Sequence, residues 1–205
     1  MPYELPMFPL GSVLFPNTVL PLRVFEPRYQ MLVHDCVAGD GKFGVVLIER
    51  GSEVGGGDTR FEVGTIAYIA GVADLEDGHR LVLAVGTGRF EVQQWLPDDP
   101  YPRAVISELT NETAPPSMRM IADTEKKLRR TLALMSEAGY DVGDTSFQLS
   151  DQDRVAIDQL CALAPLSTLD AQALLVSDTS SDRLDHLQAL LDEEIAVLQQ
   201  QLQSG

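Results

Sequence analysis

Apolar residues in the first half of the chain gather in short runs, whereas in the second half they recur every three or four residues. The first pattern predicts strands, at 7–10, 19–24, 43–49, 61–70, 80–86, 89–96 and 103–110. "FGVVLI" (43–48) is apolar without interruption, as in a strand covered on both faces. "RFEVGTIAYIAGV" alternates in part, and Gly64 interrupts it, which marks a bulge or tight bend. Asp77-Gly78 between two apolar runs signals a hairpin, and "WLPDDPYPR" (95–103) a proline-rich corner between strands. In "VGTGRF", Gly86 and Gly88 read as a bulge. Many short strands at near-regular spacing suggest a small barrel or folded sheet.

Residues 8–29, "FPLGSVLFPNTVLPLRVFEPRY", thread prolines between large apolar side chains. Pro9, Pro16, Pro21 and Pro27 fix φ and remove backbone donors, which rules out a long helix and leaves short extended pieces at a sheet edge or corner. Pro27 suits a first helical position. After it, Tyr29, Leu32, Val33, Cys36 and Val37 form one helical stripe, with Gln30, His34 and Asp35 turned to water and Gly39 closing the helix.

"TNETAPPS" (110–117) is the compositional break, dividing a β-rich part, 1–112, from a helical part, 118–205. Ser117 can cap a helix to about Ala138, with Ile121, Leu128, Leu132 and Met135 on one face and Asp123–Lys127 and Glu125–Arg129 pairs on another. Ser150 with Asp153, and Ser167 with Asp170, have the spacing of capping boxes, and Pro165 separates the two short helices they open. The last helix runs from about Asp182 to Leu202, its stripe formed by Leu184, Leu187, Leu191, Ile195, Leu198 and Leu202. The fold class is α+β.

The 205 residues carry a formal net charge of −16, which argues against nucleic-acid and anionic-membrane partners, since both need a cationic face. Residues 139–205 hold 12 acidic and 2 basic side chains; only 118–138 runs positive, with 5 basic against 3 acidic, as one helix lying beside acidic ones. Cys36 and Cys161 sit among apolar neighbours on different predicted helices, as buried free thiols do. No apolar run is long enough to cross a membrane, and "MPYELPMF" lacks the basic and apolar regions of a signal peptide, so a cytoplasmic location is expected.

No motif for catalysis emerges. His34, His79 and His186 stand on different elements without zinc-ligand spacing. There is no Gly-x-Ser-x-Gly elbow, and Gly55-Gly56-Gly57 lacks the Gly-Lys-Ser/Thr ending of a phosphate loop and reads as a hairpin tip. Ser12 has no base nearby in sequence, and the "DEE" cluster at 192–194 spreads around a helix. The expectation is a protein with no catalytic residues, no cofactor and no metal; the alternative is a hydrolase whose site is assembled from residues distant in the chain.

The opening stretch closely resembles the start of the Lon protease N-terminal domain, the LON substrate-binding domain. Pro9, Leu10, Val13, Leu14, Phe15, Pro16, Pro21, Leu22, Phe25, Glu26, Pro27, Arg28 and Tyr29 match that family's pattern. Asn17 stands where the family has glycine; both tolerate positive φ. "FGVVLI", "VGTIAYI", "GTGRFEV" and "YPRAVI" correspond to its later strands, and the tail from "LAPLSTLD" onward to its helical half. The nucleotide loop and Ser–Lys dyad of a full Lon protease, and the zinc module of cereblon-type proteins, are missing, so a free-standing LON domain is expected.

The resemblance implies a PUA-like β-barrel of about six strands with one inserted helix, followed by a helical bundle ending in a long helix. It also implies engagement of unfolded or degron-bearing polypeptide in an apolar groove, with a protease or chaperone as a further partner. Candidate binding residues are Phe15, Phe25, Glu26, Arg28 and Tyr29; the competing role for "FEPRY" is scaffold, with Pro27 starting a helix and Glu26 and Arg28 bridging it to strands. A core Phe25 would cost roughly 3–5 kcal/mol on truncation to alanine, a groove Phe25 little stability but much binding. The acidic helical half has a separate reading as the docking face for one specific partner. The terminal helix packs within the chain or supports weak self-association or docking onto a partner helix.

Overall fold

Short, proline-punctuated strands become the wall of a closed sheet in the first of two units into which the chain divides, Met1–Thr110 and Asn111–Gly205. The computed structural model describes residues 1–51, 57–109, 116–143 and 145–204. Strands β1 (Tyr3–Leu10), β2 (Val19–Val24), β3 (Lys42–Arg50), β4 (Thr59–Asp74), β5 (Arg80–Leu96) and β6 (Arg103–Glu108) are joined in the order β2-β5-β4-β3-β1-β6. Helix α1 (Pro27–Ala38) lies between β2 and β3 in the chain. Among the described residues, β1 and β3 form the one parallel pair. A further β5–β6 pairing closes the sheet into a barrel-like ring.

The ring closes because β5 is a single strand of 17 residues, where two strands, 80–86 and 89–96, were expected. Its first half pairs with β2, its last part with β6, and β4 lies along most of its length. The register steps from Ile66–Gly88 to Ala67–Gly86, so Thr87 is the extra residue of a bulge that bends β5 without ending it. Gly86 is required there: a Cβ would stand 2.5 Å from the Phe15 carbonyl oxygen. Gly64 answers a similar demand, since its Cβ would lie 2.2 Å from the Val45 carbonyl oxygen and 2.8 Å from the Phe90 ring. The β3–β4 register is irregular immediately beyond its partner Val46.

The uninterrupted apolar run of β3 is explained by two clusters, one on each side of it. Phe43 and Val45 join Phe8, Leu10, Leu22, Val24 and the buried face of α1, while Val46 joins Met7, Phe90 and Ile106. On α1 the buried residues are Tyr29, Leu32, Val33 and Cys36. Val37 is 58% exposed and does not extend the stripe. Gly39 ends the helix with φ −100°, outside the left-handed region. The β4–β5 turn takes Gly78 at φ +79°, and Asn17 holds φ +59° after β1. Of the triplet Gly55-Gly56-Gly57, the first two fall outside the described residues.

In the second unit, α2 (Met118–Glu137), α3 (Asp153–Leu163), α4 (Thr168–Val176) and α5 (Ser180–Ser204) follow. Ser117 Oγ accepts from the Met120 N–H at 3.3 Å, and Ser167 Oγ from the Asp170 N–H at 3.2 Å, as their spacing predicts. Ser150 does not cap α3. Its hydroxyl accepts from the Gln152 N–H two residues on and its own N–H donates to Gln159 Oε1, which leaves Gln152 as the N-cap residue. Thr179 Oγ1 accepts from the Asp182 N–H, so α5 starts earlier than its apolar stripe suggests. Leu184, Leu187, Leu191, Ile195 and Leu198 are buried, and Leu202 is exposed near the end of the helix.

Charge pairing in this unit also differs in part from expectation. Glu125–Arg129 forms, but Asp123 pairs with Arg119, and Lys127 reaches across to Asp192 on α5 instead. A tertiary partner has displaced an i,i+4 one. Both cysteines are free and buried. No helix among the described residues is long and apolar enough to cross a membrane.

Candidate functional site

The prolines of the opening stretch mark the two lips of a seam in the ring. Gly86 donates its N–H to the Thr18 carbonyl, and the β2–β5 register continues without a shift. Leu20, Leu22 and Val24 therefore turn their backbone groups to β5, and Val19, Pro21 and Arg23 turn theirs away. On β1, the Met7 N–H donates to the Pro102 carbonyl beside β6, so the backbone of Pro9, two residues on, points the same way, past the start of β6. Each lip thus carries a proline where a β1–β2 ladder would need a donor. Among the described residues the two strands do not pair, and β2 keeps a free edge.

Between the lips lies a pocket of about 160 Å³. Phe8 and Leu10 of β1, Leu22 and Val24 of β2, and Phe25 and Tyr29 at the start of α1 form its apolar walls. Five of these, Phe8, Leu10, Leu22, Val24 and Tyr29, also belong to the core cluster that holds the buried face of α1, so the pocket opens directly onto that core. Pro27 starts α1 at its first turn, which delivers Tyr29 against Phe8 with ring centroids 4.1 Å apart and nearly parallel.

The candidate residues separate into three groups. Phe25, Glu26 and Tyr29 line the pocket. Arg28 supports it: its Nε donates to Glu26 Oε2 at 3.1 Å and its guanidinium lies 4.5 Å from the centroid of the Tyr29 ring. Phe15 lies elsewhere, 3% exposed, with its carbonyl accepting from Thr18 Oγ1. Phe25 is not core; it leaves 48% of its surface exposed.

Phe8, Leu10, Leu22 and Val24 were not singled out for the site beforehand, nor was the β4–β5 turn that borders it. Arg23 pairs with Asp77 and donates from Nε to His79 Nδ1 at 3.1 Å. The His79 ring stands 5.7 Å from Phe25, and Gln30 Nε2 donates to the Gly78 carbonyl at 3.0 Å. The strand alternation in "VLPLRV" was the available signal for Leu22 and Val24; the turn left none, because its partners are some fifty residues away in the chain.

The pocket wall is apolar apart from Arg23 and Glu26, and its tyrosine stays protonated near neutral pH. Burial pushes the Tyr29 hydroxyl up to about 12, against the opposing pull of the Arg28 cation. Burial likewise raises the Cys36 and Cys161 thiols to about 12, so neither is a nucleophile near neutral pH. Nearby, burial drives the Asp58 carboxyl upward, but hydrogen bonds from Arg60 and the surrounding cations outweigh it and hold the group below its ordinary value. Arg60 Nε lies 2.5 Å from Asp58 Oδ2, and a second ion pair joins it to Asp98 at 2.8 Å. Among the described residues, no group of three or more His, Cys, Asp or Glu side chains is arranged to hold a metal ion.

Ring and seam define an α+β protein whose distinctive surface is an apolar opening beside an unpaired strand. The sequence profile of the ATP-dependent protease La (LON) substrate-binding domain matches residues 4–193, and the chain belongs to that family. Lon protease 2 of Herpetosiphon aurantiacus is 29% identical over 201 residues, 96% of this chain and 24% of that protein. Lon protease of Cytophaga hutchinsonii is 28% identical over 97% of this chain and 25% of its own length. The chain spans about a quarter of the length of these curated relatives. Among solved structures, the Lon N-terminal domain protein from Xanthomonas campestris superposes with a TM-score of 0.70 at 30% identity, covering 91% of this chain and 98% of that one. The N-terminal domain of Mycobacterium avium complex Lon protease shares the fold at a TM-score of 0.63 and 16% identity.

Proposed function

We propose that this domain binds other polypeptides in extended, unfolded form, seating one apolar side chain in the seam pocket while the bound backbone runs along the free edge of β2. The observation that carries this reading is the pocket of about 160 Å³, walled by core side chains and set beside an unpaired strand edge. A cavity of roughly 150 Å³ holds a benzene ring, so the space suits one phenylalanine- or leucine-sized group. Burying such a group contributes about 1.5–3 kcal/mol, and strand addition supplies the remainder of a micromolar interaction. Pro21 removes one donor from the edge and leaves Val19 and Arg23 N–H groups to pair. That makes the edge adequate for transient binding and poor for sheet aggregation. Because the relatives are Lon proteases, the reading extends to presentation of the bound segment to a protease. The action is capture, not bond cleavage.

The test is fluorescence anisotropy with a labelled, reduced and unfolded protein as probe. Binding should survive high salt, weaken several-fold in Phe25→Ala, and weaken in Val19→Pro, which deletes an outward donor without touching the β5 ladder. Equal binding by both variants and the unaltered chain would refute the seam as the site.

A further inference from the structure

We infer that the groove between the start of α4 and the middle of α5 is a docking surface for a basic amphipathic helix of a partner protein. This is independent of the seam, which lies in the other unit. The groove encloses about 300 Å³, with Pro165, Leu166, Leu190 and Val197 supplying its apolar surface and Glu193 and Glu194 lining it beside them. Val197 is 50% exposed, and Leu169, next to the groove-lining Asp170, is 67% exposed. Both leave half or more of their surface to solvent.

Charge selects the occupant. Asp170 is engaged in the Ser167 cap, and Asp192 is neutralised by Lys127. Glu193 and Glu194 meet no cation among the described residues. In residues 139–205 the two basic side chains are Arg154 and Arg183, and Arg183 is buried against Asp158. The groove therefore presents an apolar strip flanked by uncompensated carboxylates, complementary to a leucine ridge bordered by lysine or arginine. Two adjacent helices offer the depression into which the ridge of a third packs, and Leu190 to Val197 span roughly 10 Å, about two turns of a docked helix. A second copy of this chain is disfavoured as occupant because each copy carries −16.

The experiment uses the full chain and a fluorescein-labelled amphipathic helix of leucine and lysine, with a leucine–glutamate peptide of the same apolar face as its counterpart. The lysine peptide should bind and the glutamate peptide should not. E193Q/E194Q should weaken binding about five- to tenfold, as should an ionic strength of about 0.3 M. Val197→Gln should also weaken it, whereas Phe25→Ala and the pair E49Q/E76Q, both in the other unit, should leave it unchanged. Equal binding of the two peptides, an E49Q/E76Q loss as large as that of E193Q/E194Q, or sedimentation showing a dimer that Val197→Gln dissolves would each overturn the proposal.

Discussion

Phe25 and Phe90 show how much a single aromatic residue depends on its surroundings. Phe90 is fully buried between Gly64, Gly44 and Met7, whereas Phe25 stands half in water at the mouth of the seam. Phe90→Ala is expected to cost about 3–5 kcal/mol and Phe25→Ala less than about 1 kcal/mol, read from urea denaturation midpoints at constant m-value. Asp58 gives a pH signature at the same scale. Its folded carboxyl titrates below the ordinary value, so its contribution is present above the unfolded pKa of about 4 and disappears as pH falls through the lower folded value. Asp58→Asn should therefore be clearly less stable than the unaltered chain at neutral pH. The gap should narrow as unfolding is measured at progressively lower pH, and a constant gap would contradict the assignment.

At the scale of elements, close approaches decide what each strand and helix tolerates. Gly64→Ala sets a methyl against the Val45 carbonyl oxygen, a backbone atom held in the β3–β4 pairing, and should cost about 3 kcal/mol or more. Gly88→Ala, where a Cβ meets nothing within 4 Å, should be nearly neutral; thermal denaturation of the pair checks the contrast. In the helical unit, Arg183 on α5 and Asp158 on α3 form an ion pair at 2.9 Å that is about 5% exposed. Removing one partner strands a buried charge, so Arg183→Leu should cost about 3–5 kcal/mol, while D158L/R183L recovers most of the loss because neither charge then needs solvation. A double variant as unstable as the single one would show that the pair has further obligate partners.

For the whole molecule, the net charge of −16 separates the two binding surfaces by their response to salt. The seam pocket is apolar and walled by core residues, so a bound unfolded segment should hold as ionic strength rises. The α4–α5 groove depends on carboxylates, so its ligand should be released under the same conditions. Parallel titrations of one preparation with the two probes, at low and high salt, should therefore diverge. Convergence would mean that both probes report a single, non-specific attraction to an acidic protein.

Patterning along the chain was enough for the succession of a β-rich part and a helical part, the turns at Asn17 and Gly78, the caps at Ser117 and Ser167, and the double-sided burial of β3, because each depends on residues close in sequence. The FEPRY stretch was likewise recognisable as the junction of β2 and α1, and Glu26, Arg28 and Tyr29 do meet there. Tertiary structure alone decided that β5 runs unbroken through Thr87, that Lys127 prefers Asp192 to Asp123, and that Phe15 is buried while Phe25 faces water. It also decided that Phe8 and Leu10 of β1 and Pro21 and Leu22 of β2 line one opening. Local propensity is a property of neighbours in the chain. A seam is a relation between two strand edges, and it exists only once the rest of the ring has brought them together.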